Sequence, residues 1–148
     1  MLTGFSHVGF TVADVDAAVA FYRKVFDAEP AVRRIYDAPY TSEQIGYPDA
    51  RLDIALFRIP GSDALLELIQ YLNPVGEPVD LETRNPGTAH ICLTTDDLDT
   101  EHTRLTRLGA TPRSTTPVHI TSGPNEGRRV AYFRDPQGLT LEILEREG

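Results

Sequence analysis

The segment HVGFTVADVD, residues 7–16, recurs as HICLTTDDLD at residues 90–99. The histidine, one threonine and two aspartates are identical at matching positions. A later stretch repeats in the same order, because ALFRIP at 55–60 matches AYFRDP at 131–136. The sequence therefore predicts two copies of one structural module.

Each copy begins with alternating apolar and polar residues, the pattern of a strand with one buried face. An aspartate then stands at the position of a helix N-cap, Asp14 in the first copy and Asp97 in the second. Apolar residues recur at helical spacing after each aspartate, and Gly109 marks the end of the second helix. Three β-type stretches follow each helix, near residues 31–37, 51–59 and 63–71 and near residues 110–120, 128–135 and 139–146.

We expect an α+β fold in which two tandem βαβββ modules form a cleft-like mixed sheet with the helices on its outer face. The predicted modules cover residues 1–72 and 88–148 and together make one domain. The segment 73–87 is rich in Pro, Gly and polar residues and is predicted to be an ordered linker. The stretch 33–48 is longer and more aromatic than a minimal connector, so we interpret it as a cap over the cleft or as a surface loop.

Composition excludes several classes of function. The chain has 148 residues, and 14 Lys and Arg against 22 Asp and Glu leave no broad cationic surface for nucleic acid. No apolar run approaches the roughly 18 to 20 residues of a membrane helix, and the N-terminus lacks signal-peptide features. A single cysteine, Cys92, excludes an intrachain disulfide. These features predict a soluble, cytoplasmic protein that binds neither nucleic acid nor membranes.

Each copy also carries a histidine near its start and a glutamate near its end. In the alignment of the two copies, His7 matches His90 and Glu67 matches Glu142. The alternation of side chains along a strand predicts that all four lie on the face of the sheet that the helix does not cover. A carboxylate on an otherwise apolar strand is costly unless it is paired or bound to a metal. If a pseudo-twofold axis relates the copies, two imidazoles and two carboxylates converge on one point. These donors suit a divalent Zn, Ni, Co, Mn or Fe ion whose shell is completed by water.

These motifs resemble the vicinal oxygen chelate superfamily, which includes glyoxalase I, methylmalonyl-CoA epimerase, fosfomycin-resistance enzymes, extradiol dioxygenases and bleomycin-type resistance proteins. The resemblance covers nearly the whole chain, including Phe21-Tyr22, the GTAH before the second copy and the DPQG before LEI. The complete His, Glu, His, Glu set is similar to bacterial glyoxalase I and close to the epimerase pattern. It implies a metal site of His7, Glu67, His90 and Glu142. Because superfamily members usually pair, it also implies a homodimer.

The resemblance implies a metal-dependent lyase, isomerase or epimerase of the glyoxalase type that acts on a small carbonyl or thioester compound. In this chemistry the metal stabilises the enolate that forms when the adjacent carbon loses a proton, and a glutamate at the metal is the base. Glu67 and Glu142 are therefore the expected catalytic residues, and the sequence leaves open which one is the base. Two alternatives stay open, an extradiol-type dioxygenase and a metal-independent protein that sequesters an antibiotic. Sequestration would use aromatic residues such as Tyr36, Tyr40, Tyr47 and Tyr71.

Overall fold

The structure is a computed structural model that describes residues 1–146. The chain divides into two compact units, Met1–Val79 and Asp80–Gly148. The boundary between the units falls inside the segment 73–87. In the described part of the chain, no helix is long and apolar enough to cross a membrane.

The first unit is a four-stranded mixed sheet with two helices. Its elements are β1 (His7–Thr11), α1 (Val15–Phe26), β2 (Val32–Tyr36), α2 (Pro39–Ile45), β3 (Arg51–Arg58) and β4 (Leu65–Asn73). The strand order is β1-β4-β3-β2. The β1–β4 pair is parallel, whereas β3 is antiparallel to both β4 and β2.

The second unit repeats this plan with one helix. Its elements are β5 (His90–Thr95), α3 (Leu98–Arg107), β6 (Thr111–Pro112), β7 (Val118–His119), β8 (Arg129–Arg134) and β9 (Thr140–Glu145). The strand order is β5-β9-β8-β6, with β7 also paired to β8. As in the first unit, the first strand is parallel to the last, here β5 to β9. The α+β class is thus confirmed, and it takes the form of two mixed sheets.

The first helix of each unit packs on one face of its sheet, and it starts where the sequence predicts. Asp14 accepts a hydrogen bond from the Ala17 N–H at 2.9 Å, and Asp97 accepts one from the Thr100 N–H at 3.0 Å. Each N-cap satisfies a backbone donor that the helix leaves unpaired. The helix α3 ends at Arg107, before Gly109 with φ of 105°, so the predicted starts of α1 and α3 and the predicted end of α3 are confirmed.

Equivalent phenylalanines anchor the two cores. Phe57 on β3 is fully buried, with its ring centroid 6.4 Å from that of Tyr22 and 5.9 Å from that of Phe26 on α1. In the second unit Phe133 on β8 is fully buried against the ring of His102, 5.1 Å away. The helix-facing side of each sheet is therefore filled, which leaves the opposite side for other contacts.

Two predicted segments differ from the structure. The stretch 33–48 is not a plain loop, because it contains α2, which has Pro39 in its first turn and ends at Gly46 with φ of 76°. The continuous strand predicted near 110–120 is replaced by the two-residue strands β6 and β7. Pro112 and Pro117 explain the break, because proline has no N–H to donate to a strand partner.

Hydrogen bonds lower the pKa of exposed carboxyls in the second unit. At Asp97 the Thr100 hydroxyl and then the Thr100 backbone N–H favour the ionised form and lower the pKa. At Asp96 the guanidinium of Arg146 lowers the pKa in the same way. In both cases the carboxylate form stabilises the folded state.

We therefore expect the second unit to lose stability in acid. A carboxyl whose pKa is lowered by folding contributes its full stabilisation above its ordinary pKa of about 4, and the contribution disappears as the pH falls through the lowered value. Unfolding by urea, followed at pH 7, 5 and 3, should show this decline. The Asp97→Asn variant still accepts the N-cap hydrogen bond but does not titrate, so its decline should be shallower. An identical decline in both proteins would contradict the assignment.

Candidate functional site

In the first unit, His7 and Glu67 meet on the sheet face that α1 does not cover. Glu67 lies in β4 between Leu66 and Leu68, both fully buried on the α1 side, so its carboxylate is on the opposite face. His7 Nε2 lies 3.6 Å from Glu67 Oε2. The His7 side chain is 47% exposed and that of Glu67 is 18% exposed, so the pair is accessible to a ligand.

In the second unit, His90 and Glu142 form the equivalent pair. Glu142 lies in β9 between the buried side chains of Leu141 and Ile143. His90 Nε2 is 2.9 Å from Glu142 Oε2, and the two side chains are 44% and 19% exposed. The structure thus brings the four residues singled out by the sequence together as two pairs, one in each unit.

Tyr132 is a third member of the second pair, and the sequence analysis missed it. It lies opposite Glu142 in the β8–β9 ladder, and its hydroxyl donates a hydrogen bond to Glu142 Oε2 at 3.0 Å. Burial, together with this hydrogen bond and the carboxylate charge, raises the pKa of Tyr132 to about 12. The hydroxyl therefore remains a donor at neutral pH. The sequence does contain a sign of this role, because Tyr132 has a hydroxyl where the matching residue of the first copy, Leu56, is apolar.

Cys92 borders Glu142 on the other side. It pairs with Glu142 in the β5–β9 ladder. Although part of the residue is accessible, burial of the thiol raises the pKa of Cys92 to about 11, and the Glu142 carboxylate adds to the shift. Cys92 is thus a neutral thiol whose S–H group can donate to the Glu142 carboxylate.

Gly9 takes the place of Cys92 in the first unit. It lies opposite Glu67 in the β1–β4 ladder, and a Cβ atom there would be 2.9 Å from Glu67 Oε2. Any side chain at this position would have to displace the carboxylate. The two glutamates therefore have the same place in the fold and different surroundings.

A cavity of about 190 Å³ lies beside Glu67 in the first unit. It is lined by residues of α2, by Tyr36 at the end of β2, and by the face of β3 and β4 that carries Glu67. Its polar lining includes Tyr36, Tyr40, Thr41, Gln44, Glu67 and Tyr71. A ligand in this cavity would contact one of the two predicted catalytic carboxylates.

The donor chemistry of both pairs fits a divalent metal ion. Each pair offers an imidazole nitrogen and a carboxylate oxygen, which Zn, Mn, Fe, Co and Ni all accept. Among residues 1–146, however, no group of three or more His, Cys, Asp or Glu side chains is placed to hold a metal. Neither pair is a complete ligand set by itself.

Comparison with known proteins gives a consistent family. The model of the Glyoxalase/Bleomycin resistance protein/Dioxygenase superfamily matches residues 4–143. The 2-epi-5-epi-valiolone epimerase of an Actinomyces species is 31% identical over 141 residues, which are 93% of this chain and 76% of that protein. Metallothiol transferase FosB of Shouchella clausii is 30% identical over 146 residues, 97% of this chain and 80% of that protein.

The same family appears among solved structures. A glyoxalase family protein from Bacillus cereus superposes with a TM-score of 0.86 at 21% identity, covering 100% of this chain and 97% of that one. This likeness shows the shared fold. Together with the match over residues 4–143, it establishes that the chain belongs to the Glyoxalase/Bleomycin resistance protein/Dioxygenase superfamily.

Proposed function

We propose that the protein is a divalent-metal-dependent enzyme that moves a proton at the carbon beside a carbonyl group of a small molecule. The reaction would be an epimerisation, or an isomerase or lyase step of the glyoxalase type. The observation that carries this proposal is the occurrence of the same His–Glu pair at the equivalent position of both units. It is supported by relatives named as an epimerase and a metallothiol transferase.

We propose His7, Glu67, His90 and Glu142 as the metal ligands. When bound, the ion would polarise the substrate carbonyl and stabilise negative charge that develops on its oxygen. Two carboxylates balance the charge of a divalent ion, and two neutral imidazoles add donors without adding charge. A partly buried carboxylate on an otherwise apolar strand is costly without such compensation, and a metal ion would compensate both Glu67 and Glu142.

The carboxylates of Glu67 and Glu142 have different neighbours, and these would affect proton transfer. Glu142 Oε2 accepts the Tyr132 hydroxyl and lies 2.9 Å from His90, so its position is fixed on two sides. Glu67 lies 3.6 Å from His7 and lines the cavity. Both are proposed to exchange the substrate proton, with Tyr132 holding the Glu142 carboxylate in one orientation.

The first test is metal content. We expect about one divalent ion per chain after metal supplementation, and a large loss of bound metal in both His7→Ala and His90→Ala, because each removes one imidazole donor. His119→Ala is the matched control, since His119 is exposed on β7. Metal analysis of the dialysed proteins gives the readout. Equal metal in wild type and His90→Ala, or none in supplemented wild type, would rule out the proposed ligands.

The second test concerns turnover. Glu142→Gln nearly preserves shape and can still accept the Tyr132 hydrogen bond, but it removes the negative charge and the basicity. We expect kcat to fall by about 10²-fold or more, the scale of a lost general base, with little change in Tm. Deuterium exchange of α-protons in hemithioacetals, acyl thioesters and hydroxylated ketones identifies the substrate and measures the rate. Glu126→Gln, in an exposed loop, serves as control, and unchanged turnover in Glu142→Gln would place the base elsewhere.

Antibiotic sequestration is the second proposal, and the aromatic lining of the cavity is the observation that favours it. Tyr36, Tyr40 and Tyr71 offer ring surface to an aromatic ligand. Sequestration requires tight binding without turnover. An aromatic or peptide antibiotic bound equally well by wild type and Glu142→Gln, with no proton exchange in either protein, would support this function over the enzyme.

We also propose that the protein is a homodimer. Apolar side chains are unusually exposed in the first unit, including Leu2, Phe5, Val75 and Val79, and a second copy would cover such surface. Light scattering over a range of concentrations should give twice the 16.4 kDa of one chain. A 16.4 kDa species at every concentration would contradict dimerisation.

A further inference from the structure

The cavity beside Glu67 has the size of one small ring. Its volume of about 190 Å³ is many times the ~10–15 Å³ that a single bound water needs. A six-membered ring with small substituents occupies such a space, whereas a nucleotide-bearing thioester or a glycopeptide would fit only in part. The size of the cavity therefore suits a single ring or a short branched chain.

The lining of the cavity is divided between apolar and hydrogen-bonding groups. Leu52 and Ile54 on β3 are 5% and 7% exposed and, with Ile69, form an aliphatic surface. Gln44 and the tyrosine hydroxyls add hydrogen-bonding groups. A ligand that matches both needs carbon faces as well as hydroxyl groups.

The hydroxyl group of Thr41 lacks a hydrogen-bond partner in the described part of the chain, which is an independent indication that a ligand binds in the cavity. Its side chain lines the cavity and is 2% exposed, and its Oγ1 is the buried side-chain oxygen or nitrogen in residues 1–146 that lacks a hydrogen-bond partner. A buried hydroxyl without a partner is destabilising, so native structures seldom keep one without a reason. A ligand hydroxyl in the cavity would provide the partner.

The charge of the lining favours a neutral ligand. Glu67 carries the one carboxylate among the lining residues, and none of these residues is Lys, Arg or His. The guanidinium of Arg34 stacks on the Tyr36 ring, 4.6 Å from its centroid, without joining the lining. In the metal-free protein, an anionic ligand would meet the Glu67 carboxylate without a compensating cation among the lining residues.

We propose that this cavity is the subsite for a neutral, hydroxylated six-membered ring of the substrate, bound by Thr41 and Gln44 through ring hydroxyls. The aliphatic floor and the tyrosines pack on the carbon faces of the ring. The assignment rests on the proposed function because it makes a hydroxylated ring ketone the substrate class and puts it against Glu67. It concerns binding by the first unit, so it can fail or hold separately from metal binding.

Binding of three probes tests the subsite in the full-length protein after treatment with EDTA. The probes are 2-keto-myo-inositol, a ring ketone with five hydroxyls; cyclohexanone, the same ring without them; and shikimate, a hydroxylated ring with a carboxylate. Calorimetry should show that 2-keto-myo-inositol binds at least tenfold more tightly than either of the others. No binding of 2-keto-myo-inositol, or equal or tighter binding of cyclohexanone or shikimate, would overturn the proposal.

Thr41→Val separates a binding role from a structural one. Valine fills the same space without the unpartnered hydroxyl, so Tm of the ligand-free protein should be unchanged or higher. The affinity for 2-keto-myo-inositol should nevertheless fall about five- to tenfold, the effect of one hydrogen bond. Thr103→Val, at an exposed position of α3, should change neither quantity. Wild-type affinity in a folded Thr41→Val protein would overturn the assignment of Thr41.

Gln44→Leu provides a second variant at an exposed position of α2, so the test does not depend on the folding of Thr41→Val. It should weaken binding of 2-keto-myo-inositol more than binding of cyclohexanone. The His119→Ala variant, changed at an exposed position of β7, should bind 2-keto-myo-inositol like the wild type. If metal binding or proton exchange fails while 2-keto-myo-inositol still binds, the proposed function is wrong and the subsite is retained. If the metal binds and the proton exchanges while 2-keto-myo-inositol does not bind, the metal site is retained and the subsite is wrong.

Discussion

The two-residue period of β4 and β9 is the constraint on which the site depends. Leu66 and Leu68 are fully buried on the α1 side, so Glu67 has to lie on the opposite face, and β9 imposes the same on Glu142. A shift of one residue in register would bury both carboxylates against the helices. Parallel pairing with β1 and β5 then brings a histidine within reach of each carboxylate. The burial of leucine thus determines where the chemistry can occur.

The residues at two positions beside each carboxylate differ between the two units. In the second unit Cys92 and Tyr132 flank Glu142 in the ladders, whereas Gly9 and Leu56 flank Glu67. A hydroxyl donor fixes one carboxylate, and the absence of a Cβ atom at Gly9 leaves room for the other. The two units share one strand order and pairing, and their sites differ at these two positions.

The features that follow from local pattern were predictable from the sequence. Strand alternation placed the two glutamates, and Asp14 and Asp97 defined the helix starts, because each depends on residues close in the chain. Tyr132 could have been found by asking where one repeat has a hydroxyl and the other an apolar side chain. The metal ligand set and the dimer remain predictions.

The helix α2 has sequence signals at its two ends, Pro39 and Gly46, whereas the cavity that it lines could not be predicted from the sequence. PYTSEQI has no apolar periodicity, and its position is supported by contacts from outside the helix. Ser42 Oγ accepts the Ala50 N–H at 2.9 Å, and the ring of Tyr47 contacts that of Tyr71 with centroids 6.2 Å apart. The contact between Tyr47 and Tyr71 links the residues after α2 to β4, which lies further along the chain. The cavity exists only where α2 meets the sheet, so its polar lining could not be recognised as a set.

The distribution of charge connects the fold to the proposed chemistry. Several arginines are already engaged in ion pairs: Arg33 with Asp16 and Asp53, Arg129 with Asp99 and Glu145, and Arg146 with Asp96. These cations stabilise the surface of the sheets and the helix starts, and their charge is balanced there. Each His–Glu pair, by contrast, has no arginine partner in the part of the chain that the structure describes. Its carboxylate attracts a cation, and its imidazole adds a nitrogen donor beside that carboxylate. With the net charge of −8, the paired carboxylates suit the divalent metal ion that we propose they bind.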